Sequence, residues 1–265
     1  MTTALIRSTL LLFTLFCLPA LAASPVSQLM ALSGLNDQID SIPAGIQAGI
    51  AQSGDMEDPD MQALSDTMMT IFSAERLKQQ TAQYLATTLD KADIEQVLDW
   101  LNSPLGRRIT RLEVDSSAPE SMADMQAMLP VLMQDSQRLA LMADLDRATM
   151  ASEATVSMML SIQKAMLSGM MSNAPADEQM SEADIDQLLA NLRPQIEAQY
   201  REFVTASMLY TYRVLEEDDI RRYIAFADSA AGRHYHSAAI GAISQAMSEA
   251  SQALGKLLAE RFGDH

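Results

Sequence analysis

Residues 100–108 read WLNSPLGRR, and residues 226–234 carry a degraded copy, FADSAAGRH. A Ser-Pro pair stops one helix and starts the next, because serine is a good N-cap and proline is favoured at the first helical position. We therefore predict a corner between two helices at Ser103 and Pro104. A second corner is predicted at Ser229, where Ala230 stands in place of the proline.

The two corners belong to a longer repeat. The spacing of 126 residues that aligns Gly106 with Gly232 needs no gap from residue 84 to residue 107. It also pairs Tyr84 with Tyr210, Leu89 with Leu215, Asp93 with Asp219, Ile94 with Ile220, Ser103 with Ser229, and Arg107 with Arg233. We predict two related helical units, the first at residues 23–117 and the second at residues 118–265.

The pattern of apolar residues along the rest of the chain predicts an all-α fold, in which the duplicated helical units form a helix bundle. Apolar residues recur at helical spacing, as in Ile94, Val97 and Leu101, and no stretch alternates with period two. Loops are predicted at residues 54–60, 116–120 and 173–177, where Gly, Pro and polar residues cluster. Residues 122–171 should form one or two long helices with a break at Pro130, and a helix over residues 181–212 should bend at Pro194.

Residues 1–22 are typical of a secretory signal peptide. Arg7 supplies the positive charge, residues 10–18 form an apolar run, and Ala20 and Ala22 frame a cleavage site. The run is shorter than the ~20 residues of a spanning helix, which argues against a stable membrane anchor after cleavage. We expect a soluble protein in the periplasm of a Gram-negative bacterium. Cys17 is the only cysteine, so the mature chain would hold no disulfide.

The charge excludes some partners. The chain has 18 basic and 35 acidic residues, a formal net charge of −17. Nucleic acid and anionic membrane surfaces would repel such a chain. Acidic residues gather at predicted helix starts, as at Asp90 and Asp93 and again at residues 216–219, where the helix dipole favours them.

No catalytic or cofactor constellation is evident, so we expect neither an enzyme nor a cofactor. His234 and His236 are two apart on a predicted helix and point about 200° apart, so they would not chelate one ion. His265 is terminal. An unrecognised hydrolase is a third-ranked alternative, and it would need acidic or histidine side chains that converge in a pocket.

Methionine is unusually frequent, with 20 residues. Clusters fall at Met122, Met125, Met128 and Met133, at Met158, Met159 and Met166, and at Met170 and Met171. Helical spacing of methionines is typical of core or interface packing, and thioethers also bind Cu(I). We expect a module that binds another periplasmic protein or a peptide through a helical groove, with a copper-binding protein as the alternative.

The stretch from residue 89 to residue 108 resembles the helix-corner signature of the domain of unknown function 2059 family, exported bacterial proteins. In that signature an aromatic pair is followed by Ser-Pro, one residue and Gly. Trp100, Ser103, Pro104 and Gly106 match it, whereas Leu101 replaces the second aromatic. The resemblance implies a helical exported domain and supplies no activity.

A second, degenerate copy of the signature matches at Phe226, Ser229 and Gly232 and departs at Ala227 and Ala230. In both copies we expect the glycine to admit a closely passing helix, with the aromatic ring packed beside it. The serines, together with Arg107 and Arg233, are the polar members that both copies keep. They are the first candidates for binding residues if one of the corners forms a binding site.

Overall fold

The structure is a computed structural model that describes residues 24–53, 59–118, 120–171 and 179–262. These residues contain helices and no strand, which confirms the all-α bundle. The helices are α1 (Pro25–Leu32), α2 (Leu35–Ser53), α3 (Pro59–Ile71), α4 (Ala74–Thr88), α5 (Lys91–Asn102), α6 (Pro104–Ser116), α7 (Ser121–Leu132), α8 (Ser136–Thr149), α9 (Ala151–Met171), α10 (Glu182–Thr211), α11 (Glu217–Ala227) and α12 (Ala230–Phe262).

Some predicted features lie outside the described residues. These are the signal peptide at residues 1–22, His265, and most of the loops predicted at residues 54–60 and 173–177. Among the helices that the structure does describe, none is long and apolar enough to cross a membrane.

The middle of the chain differs from its prediction of one or two long helices. Residues 121–171 form three helices, and α7 continues through Pro130. Proline is tolerated because it lies in the last turn, and α7 ends two residues later at Leu132. Asp135 then caps α8, and Met150, with a φ of 57°, separates α8 from α9. Further on, α10 runs without interruption through Pro194.

Two hydrophobic cores hold the helices together. The first joins buried residues of α1 to α5, such as Leu29 and Leu85, to the alanine-rich face of α12. The second joins Ile109 of α6 to residues of α8, α10 and α11, such as Leu145 and Ile220. Side chains of both predicted units therefore share each core.

The helices α9 and α12 pack closely, and two glycines permit the approach. A Cβ atom at Gly255 would lie 2.3 Å from the carbonyl oxygen of Met166. A Cβ atom at Gly169 would lie 2.5 Å from the carbonyl oxygen of Gln252. Any side chain at either position would push the two backbones apart.

Candidate functional site

The two corners have the same local geometry. Asp90 caps α5 by accepting a hydrogen bond from the Asp93 amide at 2.8 Å. Ser103 caps α6 in the same way, with 2.9 Å from the Gly106 amide to the serine Oγ. In the second corner the Gly232 amide donates to the Ser229 Oγ at 3.0 Å. These caps satisfy amide groups that a helix start leaves without partners.

The signature glycines admit the preceding helix. A Cβ atom at Gly106 would lie 2.1 Å from the carbonyl oxygen of Trp100, which lies in the last turn of α5. A Cβ atom at Gly232 would lie 2.0 Å from the carbonyl oxygen of Phe226, at the end of α11. The close neighbour is therefore the helix on the other side of the same corner.

The aromatic rings of the two corners stack on each other. The Trp100 and Phe226 ring centroids are 4.5 Å apart and the planes differ by 6°. Tyr223 lies 6.0 Å from Trp100 and almost parallel to it. Both Trp100 and Phe226 contact both hydrophobic cores, so this stack is where the two cores meet.

Two polar contacts flank the aromatic stack, an Arg–Asp ion pair and a His–Asp hydrogen bond. Arg108 lies 3.4 Å from Asp219, and the His234 Nδ1 lies 2.5 Å from the Asp93 carboxylate. The two pairs occupy equivalent positions in the repeat, because the 126-residue spacing aligns Arg108 with His234 and Asp93 with Asp219. Each of the two contacts joins a residue of one predicted unit to a residue of the other.

The polar signature residues do not form a binding site together. The serines are used as helix caps, Arg107 is exposed, and Arg233 donates to the carbonyl oxygen of Asp228. A depression of about 420 Å³ lies over the first corner, against Ser103 and Pro104. Its charged residues, Arg108, Asp219 and Arg222, pair with one another.

A larger cavity of about 520 Å³ lies beside the aromatic stack. Both predicted units line it, through α2, α5 and α6 on one side and α9 to α12 on the other. Most of its wall is aliphatic or aromatic, including Leu35, Ile39, Ile42, Ile109, Met158, Met208, Ala239, Ile240, Ile243, Trp100 and Phe226. Ligand sites in proteins have this size and apolar character.

One carboxylate, Glu113 of α6, organises the polar side of this cavity. The Tyr212 hydroxyl donates to its Oε1 at 2.7 Å, and the Tyr223 hydroxyl donates to the same oxygen at 3.1 Å. Burial raises the pKa of Glu113, and the two hydrogen bonds oppose that rise. The three side chains come from α6, the end of α10 and α11, so only the tertiary fold brings them together.

The tyrosine and histidine side chains of the cavity are uncharged at neutral pH. Burial raises the pKa of Tyr212 and Tyr223 well above its usual range and that of Tyr235 to about 12. Burial also lowers the pKa of His236 to about 4, so its imidazole is neutral. The His236 Nε2 is buried and has no hydrogen-bond partner among the described residues.

Metal ligands of the usual kind do not gather in the part of the chain that the structure describes. It contains no group of three or more His, Cys, Asp or Glu side chains that would hold an ion. On α7, Met125 is buried, whereas Met122, Met128 and the adjacent Met133 are exposed. Met158 lines the cavity.

Sequence patterns alone did not identify Glu113, Tyr212, Tyr223 or Tyr235 as members of a site. One signal was present in α6. Glu113 lies four residues after the buried Ile109, so a carboxylate falls on the buried face of the helix. Nothing local to Tyr212 or Tyr235 distinguishes them from ordinary core tyrosines.

Comparisons with known proteins identify one region. Residues 75–135 match the model of a family described as an uncharacterized protein conserved in bacteria, DUF2059. Neither the curated proteins nor the solved structures contain a match to the chain. The matched region covers nearly all of α4, then α5, the first corner, α6 and α7. This region is therefore similar to the DUF2059 family.

Proposed function

We propose that the protein binds a small, mainly apolar molecule in the cavity beside the aromatic stack. The observation that carries this proposal is the cavity itself, about 520 Å³ of space with apolar walls and one polar cluster. Apolar walls supply affinity through burial of the ligand, and a few polar groups orient it. Glu113, held by two tyrosine hydroxyls, is the orienting group.

The experiment is a titration of the purified protein with N-phenyl-1-naphthylamine, an uncharged dye that fluoresces in apolar surroundings. We expect saturable fluorescence from a single site. Ala154 of α9 is half-buried and lines the cavity, so Ala154→Phe should fill it and weaken dye binding by about tenfold or more. Ala143 of α8 is exposed and outside the lining, so Ala143→Phe is the matched control. Unchanged binding in a folded Ala154→Phe variant would contradict the proposal.

We also propose that the protein binds its ligand without chemical turnover and works in the periplasm. The signal-peptide pattern of residues 1–22 supports export, and the family is described as bacterial. Fractionation of cells that express the full chain tests this. The shortened protein should appear in the periplasmic fraction, and deletion of residues 2–22 should retain it in the cytoplasm.

A protein or peptide partner is a second candidate, and the surface of α7 favours it. Val131 is 71% exposed, and Met122 and Met128 of the same helix and Met133 at its end are also exposed. Flexible methionines suit adaptable binding surfaces, and exposed acidic residues such as Asp124 suit a basic, apolar peptide. Cross-linking in periplasmic extract should capture such a partner with the native protein and lose it with Val131→Glu.

The two remaining functions have direct tests. Copper binding by the methionine clusters predicts a Cu(I) complex, which a titration against a competing chelator would detect. A hydrolase predicts turnover in a panel of ester and peptide substrates. Glu113 and His236 line the same cavity, so loss of that turnover in Glu113→Gln would assign it to this site.

A further inference from the structure

The carboxyl group of Glu113 has no basic partner in the described part of the cavity. Among the described residues that line it, Glu113 is the only acidic one, and none is lysine or arginine. No basic side chain among the described residues lies within ion-pair distance of Glu113. Buried carboxylates are normally paired with a cation or fully hydrogen-bonded, because an uncompensated charge is costly away from water.

The hydrogen bonds that the described side chains donate to the Glu113 carboxyl group involve only one of its two oxygens. Tyr212 and Tyr223 both donate to Oε1, whereas Oε2 receives no hydrogen bond from the described residues. A carboxylate has about four acceptor positions on its two oxygens. The tyrosines thus fix the orientation of the group and leave Oε2 able to accept from a ligand.

The surroundings favour a cation as that ligand group. Trp100, Phe226 and Tyr235 line the same cavity, and aromatic rings attract cations through their quadrupoles. The formal net charge of −17 draws cations towards the protein and repels anions. A ligand with a carboxylate would meet Glu113 with no positive charge to compensate either group.

We propose that the ligand is an amphipathic organic cation, an apolar molecule with one protonated amine that binds Glu113. This inference rests on the proposed function of the cavity. The amine would donate to Oε2, and the apolar body would lie against the aliphatic wall formed by Ile39, Ile240 and Ile243.

The test is displacement of N-phenyl-1-naphthylamine by three molecules with the same alkyl chain: decylammonium, decanol and decanoate. All are used at neutral pH and below their aggregation concentrations. A hydrogen bond to a charged group should make decylammonium about tenfold or more tighter than decanol. Decanoate should be the weakest of the three. Equal displacement by decylammonium and decanol, with saturable dye binding, would overturn this inference and leave the proposed function standing.

Glu113→Gln supplies the decisive variant, because it keeps the size of the side chain and removes its charge. Decylammonium and decanol should then bind about equally, because the preference for the cation depends on the charge of Glu113. Asp115 is exposed on the same helix, so Asp115→Asn removes one charge outside the cavity and should keep the preference. An equal loss of preference in both variants would indicate general attraction by the acidic surface and overturn the inference. Failure of the dye to bind the native protein would instead refute the proposed function.

Discussion

The corner glycine offers the sharpest test of how the fold is held together. A Cβ atom at Gly106 would lie 2.1 Å from the Trp100 carbonyl oxygen and 2.9 Å from its carbon. Because the obstacle is backbone, α5 and α6 would have to separate by about an ångström. Overpacking of this kind costs about 1–3 kcal/mol, and a disturbed Ser103 cap costs about 1 kcal/mol more.

The helical preference of alanine over glycine offsets about 1 kcal/mol of that cost. We therefore expect Gly106→Ala to lower the free energy of unfolding by about 2 kcal/mol, and Tm by about 4–8 °C for a chain of this size. Urea denaturation followed by far-ultraviolet circular dichroism measures the first quantity, and a thermal scan measures the second. Gly232→Ala should behave alike, because its Cβ atom would lie 2.0 Å from the Phe226 carbonyl oxygen.

Gly45 provides the matched control, since it lies in α2 with nothing within 4 Å of an added Cβ atom. Gly45→Ala should gain helical preference without a clash and stabilise the protein by about 0.5–1 kcal/mol. If Gly106→Ala were as stabilising as Gly45→Ala, the glycine would not be required by the corner, and the packing argument would be wrong.

Three further predictions concern the stack, the α9–α12 contact and the cavity. Trp100→Ala removes the ring that stacks on Phe226 and should cost about 3 kcal/mol in urea denaturation, whereas Trp100→Phe should recover most of it. Gly255→Ala should cost about 2 kcal/mol in the same assay, because its Cβ atom would lie 2.3 Å from the Met166 carbonyl oxygen. The His236 imidazole has a pKa of about 4 in the folded chain, below its usual 6.5, so the unfolded chain binds a proton first as pH falls. The neutral imidazole therefore contributes its full stabilisation above pH 6.5, and about 3 kcal/mol of it is lost as the pH falls to 4. The free energy of unfolding should fall less steeply over this pH range in His236→Gln than in the native protein.

The outcome for the helix breaks shows how far local sequence rules extend. Ser103 and Asp90 cap helices as their contexts predict, because a cap needs only a side chain and an amide three residues later. Pro130 does not mark the break, since proline in the last turn is compatible with the helix. The separation at Met150 depends on a left-handed φ at a residue that rarely adopts it, and no local signal announced it.

The sequence by itself determined the helical content, the two corners and the family of residues 75–135, because helical periodicity, capping and the Ser-Pro signature act over a few residues. The tertiary structure alone decided the cavity and its chemistry. Glu113 lies 99 residues before Tyr212 and 110 before Tyr223, and hydrogen bonds join it to them only once α6, α10 and α11 pack together. Burial then shifts the pKa of each group, and burial is a property of the surrounding helices, which no single segment of the sequence encodes.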